Sequence, residues 1–172
     1  MKLSLAPHPD TPCAALTAIE VEVRRSAPDG LRLSYVAHGD IRALALPPFN
    51  GVARADELWK ATCFEAFFKV DGAGDYVELN LSPSGGWAAY HFDAYREGMK
   101  PLDLAFKPWG RLVVGRDRLM FRAAWAPRRP RLRMALSAVI EERSGAKSYW
   151  ALAHPPGRPD FHADAGFAAV LE

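Results

Sequence analysis

The side chains best suited to chemistry lie between residues 62 and 93. Along Thr62 to Val70, Phe64, Ala66, Phe68 and Val70 alternate with Cys63, Glu65, Phe67 and Lys69. Along Tyr76 to Ser82, Val77, Leu79 and Leu81 alternate with Tyr76, Glu78 and Asn80. Along Trp87 to Asp93, Tyr90 and Phe92 alternate with Trp87, Ala89 and His91. Residues i and i+2 of a strand share a face. The turn residues Asp71-Gly72-Ala73-Gly74 pair the first two runs, and a slip of one residue would expose an apolar face. This pattern predicts a core of Phe64, Phe68, Val77, Leu79, Leu81, Tyr90 and Phe92. It gathers Glu65, Glu78, Asn80 and His91 on the opposite face with Phe67, Tyr76 and Trp87. Carboxylates, an amide and an imidazole beside flat rings suit a polyhydroxylated ligand. The rings stack on C–H faces, and the polar groups bind hydroxyls. A half-solvated sheet face shows the same alternation, so alternation alone does not separate a ligand face from a wet one.

Other constellations carry less. Glu65 and Glu78 could form a glycosidase pair, which needs carboxyl groups roughly 5–9.5 Å apart across a cleft. Most sheet faces with two glutamates supply that spacing, so no catalytic residue is assigned and the chain is read as a non-enzyme. His154 and His162, with Asp160 and Asp164, match no zinc spacing, and Pro155-Pro156-Gly157 reads as a loop that contains histidines. Neither Asp56 nor Asp103 lies in an Asp-rich calcium loop, so no metal site is assigned. Arg128-Arg129-Pro130-Arg131-Leu132-Arg133 is the basic cluster. It lacks the interleaved aromatics of a nucleic-acid surface and reads as a solvated turn guarding the start of an edge strand.

The elements that must position these groups are short. Ile19 to Arg24 and Leu31 to Val36 alternate on either side of Pro28-Asp29-Gly30, a hairpin signal. Ile41 to Leu46 is a further short run stopped by Pro47-Pro48. Arg111 to Val114 and Arg118 to Trp125 flank Gly115-Arg116-Asp117. Leu132 to Glu142 has helical length but a period-two apolar face and reads as a strand. Ser148 to Ala153 adds another, and the helical content is a turn near Arg54 to Lys60 or Ala94 to Met99. About ten strands over 172 residues predict one all-β domain, 1–172: a two-sheet antiparallel β-sandwich of jelly-roll or immunoglobulin-like type. A net charge of +2 gives no pull toward nucleic acid or membrane, and mean hydropathy is -0.13. Two prolines interrupt the first ten residues before a signal-peptide core develops, and Cys13 and Cys63 have no metal spacing. Reduced thiols in the cytoplasm are the expectation.

Glu57-Leu58-Trp59-Lys60-Ala61-Thr62-Cys63-Phe64-Glu65-Ala66-Phe67, with Tyr76 to Trp87, Tyr90 and Phe92, resembles the bacterial DOMON-like domains. These are related to the family-nine carbohydrate-binding modules. Tyr149 to His154 and Pro159 to His162 carry the same resemblance at the end of the chain. It implies a β-sandwich with a saccharide site on one concave face, binding without chemistry. In those modules a tryptophan and a glutamate six residues later contact the terminal sugar, and Trp59 and Glu65 stand at that spacing. A later tryptophan closes an aromatic sandwich there, which assigns Trp150, with Trp125 behind it. The candidate site is thus Trp59, Glu65, Glu78, Asn80, His91 and Trp150, with no cofactor. Haem is the alternative that other DOMON domains suggest, with His91 and Met99 or Met120 as ligands. A protein partner on the aromatic face is a third reading, and oligomeric state stays open.

Overall fold

Alternating apolar and polar residues bury one side of an extended chain, and nine of the ten expected runs are strands. The computed structural model describes residues 1–26, 30–104, 107–125 and 131–171. Among them the strands are β1 Lys2–Pro7, β2 Leu16–Ser26, β3 Gly30–Gly39, β4 Ala53–Arg54, β5 Cys63–Lys69, β6 Tyr76–Leu81 and β7 Gly86–Phe92. They continue with β8 Lys100–Pro101, β9 Trp109–Val114, β10 Arg118–Trp125, β11 Leu132–Glu141, β12 Lys147–Ala151 and β13 Ala169–Leu171. The exception among the expected runs is Ile41 to Leu46. Its first three residues form a 3-10 turn, and only Leu44 makes an isolated bridge, to Glu142. Leu58–Lys60 is the expected helical turn, of 3-10 type. Ala94 to Met99 is instead a tight turn closed by an Ala94–Glu97 bridge.

The strands form one path, β4-β7-β6-β5-β11-β12-β1-β2-β3-β10-β9, with β13 added on β11 and β8 on β7. Every pairing is antiparallel except β4 with β7. The expectation of two separate sheets therefore gives way to one curled sheet. The link is β1, whose Lys2 to Leu5 pair with β2 while Ala6 and Pro7 pair with β12. Its alternating Leu3 and Leu5 were too short a signal to mark a strand.

The two halves of the curl face each other across the core. Phe64 of β5 stacks on Phe121 of β10 at 4.7 Å between centroids, and Phe68 meets Trp125 at 4.7 Å. Tyr35 of β3 donates from its buried hydroxyl to the Glu65 carbonyl at 2.7 Å, so the core fixes the backbone of the strand that carries the candidate site. β11 lies between β5 and β12 with nearly every residue buried, not at an edge. Burial on both faces explains its near-continuous apolar run. Of the basic cluster before it, residues 128 to 130 lie outside the described residues, as do Pro28 and Asp29 of the first hairpin. Arg133 donates from Nε and a terminal nitrogen to the Phe167 carbonyl at 3.2 and 3.0 Å.

Candidate functional site

Register decides which side chains meet on the outer face of the β7-β6-β5-β11-β12 half. Glu65 stands opposite Asn80 and Ser137, and Phe67 opposite Glu78 and Ala135. On β7, Glu78 faces Tyr90 and Asn80 faces Ala88. A cavity of about 380 Å³ opens on this face. Glu65 and Glu78 line it, together with Trp59, Phe92, Arg96 and Met99 from one side. Val139, Tyr149, Pro159, Phe161 and His162 line it from the other. The segment after β12 folds over this face. Its Phe167 joins Phe67, Tyr76, Ala88, Tyr90, Phe92 and Ala135 in a second apolar cluster, separate from the core.

The structure brings Trp59, Glu65, Glu78 and Asn80 together and leaves His91 and Trp150 elsewhere. His91 pairs in register with Val77, and its neighbours Trp87 and Ala89 belong to the core side. The expected face assignment of β7 is therefore inverted. Tyr90 and Phe92 stand on the site face, Trp87 in the core, and His91 beside Asp75 and Asp93 at 3.2 and 3.5 Å. Hydrophobicity could not choose the face, because protein covers both sides of β7. Trp150 pairs with core-facing Ala138 and is 2% exposed, and its Nε1 donates to Ser148 Oγ at 3.0 Å. Its neighbour Tyr149, opposite Val139, lines the cavity instead. Trp125 is likewise engaged with Phe68 in the core.

Trp59 sits on the Leu58–Lys60 turn, which is entered through Glu57 in the left-handed region at φ 60. Its ring meets Tyr90 edge-on at 6.3 Å. Tyr90 in turn donates to Asp56 Oδ1 at 2.6 Å, and Asp56 holds Arg54 at 2.7 Å. These contacts fix the approach of the turn to β7, while Trp59 stays 36% exposed.

At the floor, Glu65, Glu78 and Asn80 are 2%, 5% and 0% exposed. Glu65 Oε2 accepts from Ser137 Oγ at 3.3 Å, and Glu78 Oε1 accepts from Asn80 Nδ2 at 2.7 Å. Glu65 Oε1 and Asn80 Oδ1 are enclosed without a hydrogen-bond partner. Burial pushes the Glu65 carboxyl well above the usual range, and the charge of Glu78 adds to it. Burial likewise raises Glu78 to about 7, against the pull of Asn80 and Arg96.

His162 is the residue that sequence reasoning assigned to a mere loop. Burial and the Arg96 charge push its imidazole down to about 4. The Tyr76 hydroxyl accepts from the Arg96 backbone N–H at 3.2 Å and shares a hydrogen bond of 2.7 Å with His162 Nδ1. If Tyr76 is the donor of that bond, the imidazole proton sits on Nε2, which stands 3.9 Å from Glu78 Oε2. With an acid held protonated and a base held neutral, this contact is not an ion pair. Arg96 is bound to Asp160 Oδ1 at 2.7 Å. Tyr149 and Phe161 lie within the resembling segments but are not among the expected site residues, and Arg96 gave no sequence signal of its own.

His154 is bound to the Ala6 carbonyl at 2.9 Å. Among the described residues no group of three or more His, Cys, Asp or Glu is placed to hold a metal ion. Of the proposed haem ligands only Met99 lines the cavity, since Met120 lies on β10 in the other half and His91 is on the other face.

No known protein family and no curated protein matches the chain in sequence. Three solved structures match it in shape. One, "a putative carbohydrate-binding protein" from Bacteroides uniformis, is 14% identical with a TM-score of 0.67, over 99% of this chain and 85% of that one. A family-nine carbohydrate-binding module from Caldicellulosiruptor kristjanssonii in complex with glucose is 10% identical, with a TM-score of 0.55. The same module with cellotriose gives 0.53, each over 90% of this chain and 75% of that one. The chain has the fold of the family-nine modules. The DOMON side of the resemblance has no counterpart among these three.

Proposed function

We propose that this protein is a non-catalytic saccharide-binding module, with the sugar seated in the cavity between Trp59 and the Tyr149–Phe161 side. The observation that carries the reading is Glu65 Oε1, buried without a partner at the foot of an aromatic-walled cavity, beside the equally unpartnered Asn80 Oδ1. A native protein rarely leaves such atoms unsatisfied, because each costs about 1–3 kcal/mol. A ligand rich in hydroxyl donors would satisfy Glu65 Oε1, on a residue that lines the cavity, while its C–H face rests on the rings. The family-nine neighbours, solved with glucose and cellotriose, support the same class. We read the two halves of the curled sheet as the layers of their sandwich.

Catalysis is disfavoured by the electrostatics. Glycoside hydrolysis sets one carboxyl as acid and holds the other ionised, which requires environments that push the two apart. Here burial pushes both the same way. Isothermal titration with glucose and cellotriose tests the function, and we expect one-to-one binding that Trp59→Ala weakens by about tenfold, or ~1.4 kcal/mol. Equal binding by the variant, or no heat from either sugar, overturns it.

A further inference from the structure

We infer that the sugar bound here carries an amino group, with its ammonium docked on the Glu65–Glu78–Asn80 floor. This rests on the saccharide reading and narrows it.

The donor and acceptor inventory of the floor is one-sided. The Ser137 hydroxyl is committed to Glu65, and one donor site of Asn80 Nδ2 to Glu78. What remains is Glu65 Oε1 and Asn80 Oδ1, both enclosed, and Glu78 Oε2, which lies 3.9 Å from His162 Nε2; of these residues Glu65 and Glu78 line the cavity. With both carboxyls ionised these are three acceptors with almost no free donor among them, whereas each protonated carboxyl brings one donor of its own. A sugar hydroxyl brings one proton and two lone pairs, and the lone pairs would face oxygen. An ammonium brings three donors and no acceptor.

Charge points the same way. The cation lining the cavity, Arg96, is already bound to Asp160, and His162 is held neutral. Arg96 and Asn80 pull Glu78 down without outweighing its burial, and the Ser137 hydrogen bond does not outweigh the burial of Glu65. Without ligand, burial favours their protonated forms. A docked ammonium favours the ionised forms and replaces neutral hydrogen bonds with charge-assisted ones, which are roughly twice as strong. The walls add to this, since the ring faces of Trp59, Tyr149, Phe161 and Phe92 attract cations as well as C–H groups.

The test compares glucosamine hydrochloride, glucose and N-acetylglucosamine by isothermal titration near neutral pH and low salt. N-acetylglucosamine keeps the nitrogen and loses the charge. We expect glucosamine to bind about tenfold tighter than glucose, and N-acetylglucosamine to show no such gain. Glu65→Gln and, separately, Glu78→Gln should bring the glucosamine-to-glucose ratio toward one. The ratio is internal to each variant, so a general loss of affinity does not imitate the result. Glucose equal to or tighter than glucosamine overturns this inference and leaves the saccharide reading standing. Cyclohexylamine, a cation without hydroxyls, separates the two claims. If it binds and no sugar does, the cation floor holds and the saccharide reading falls. If nothing binds, both fall.

Discussion

Replacing Glu78 by glutamine should make the protein more stable, and only above acid pH. The Glu78 carboxyl is 5% exposed and is raised from 4.5 to about 7, chiefly by burial. In the unfolded chain it ionises from 4.5 upward, whereas in the folded chain it keeps its proton to about 7. Between those values the folded state binds more protons, so stability falls as pH rises. The contribution of the protonated form is fully present below 4.5 and fully lost above about 7. That gap, at ~1.36 kcal/mol per pH unit, is worth ~3 kcal/mol. Glutamine resembles the protonated acid and keeps an oxygen to accept from Asn80 Nδ2, so it should match the wild type near pH 4.5. Above pH 7 it should exceed it by ~3 kcal/mol.

The difference between the two proteins is what must be measured, because their neighbours titrate too. Glu65 shifts in the same direction as Glu78, and its contribution also declines as pH rises. His162 works the opposite way. Its folded value of about 4 lies below the ordinary 6.5, so it contributes stability above 6.5 that is lost as pH falls toward 4. Urea unfolding followed by tryptophan fluorescence, on both proteins across this range, gives the Glu78 part together with its coupling to Glu65. A stability difference that stays constant with pH would refute the reasoning.

Two further predictions follow from the same geometry. Nitrogen-15 NMR of His162 should show the neutral ring with its proton on Nε2, with no protonation until pH falls to about 4; a midpoint near 6.5 would contradict the buried, Tyr76-bound imidazole. Trp150→Ala should destabilise by ~3–5 kcal/mol as a large core truncation, whereas half-buried Tyr149→Ala should lose about 1 kcal/mol and mainly weaken sugar binding; the reverse order in unfolding and titration experiments would mean the faces of β12 have been exchanged.

The sequence was most legible where one face of a strand is dry and the other meets polar groups. Glu65, Glu78 and Asn80 fell on a common face because β5 and β6 alternate cleanly and the Asp71–Gly74 turn sets their register. β7 failed the same test because Ala88, Tyr90 and Phe92 pack under the segment after β12, while Trp87 and Ala89 pack in the core. An apolar residue on such a strand says that it is buried but not on which side. Trp150 failed for a related reason, since β12 carries Tyr149 and Trp150 on successive positions and only pairing with β11 distinguishes them. His162 lay beyond local patterning altogether. Its neighbours Phe67, Tyr76 and Phe92 are between 70 and 95 residues away in the chain. β1 is short, but it closes the curl, and no periodicity in six residues could announce that role.

The energetics of the two faces support the proposal that the cavity is the functional part of the molecule. On the inner side, large side chains such as Phe64, Phe121 and Tyr35 fill the space, and the Tyr35 hydroxyl finds the Glu65 carbonyl. On the outer side the same strand buries a carboxyl with one oxygen unpartnered, next to a second buried carboxyl on β6. A face that served only to support the segment above it would be more stable with apolar side chains, as its own Phe67, Tyr76 and Phe167 demonstrate around the rim. Destabilising polar groups and a hollow that Glu65 and Glu78 line thus coincide, and their joint presence on one face supports the proposed binding site over a core that failed to fill.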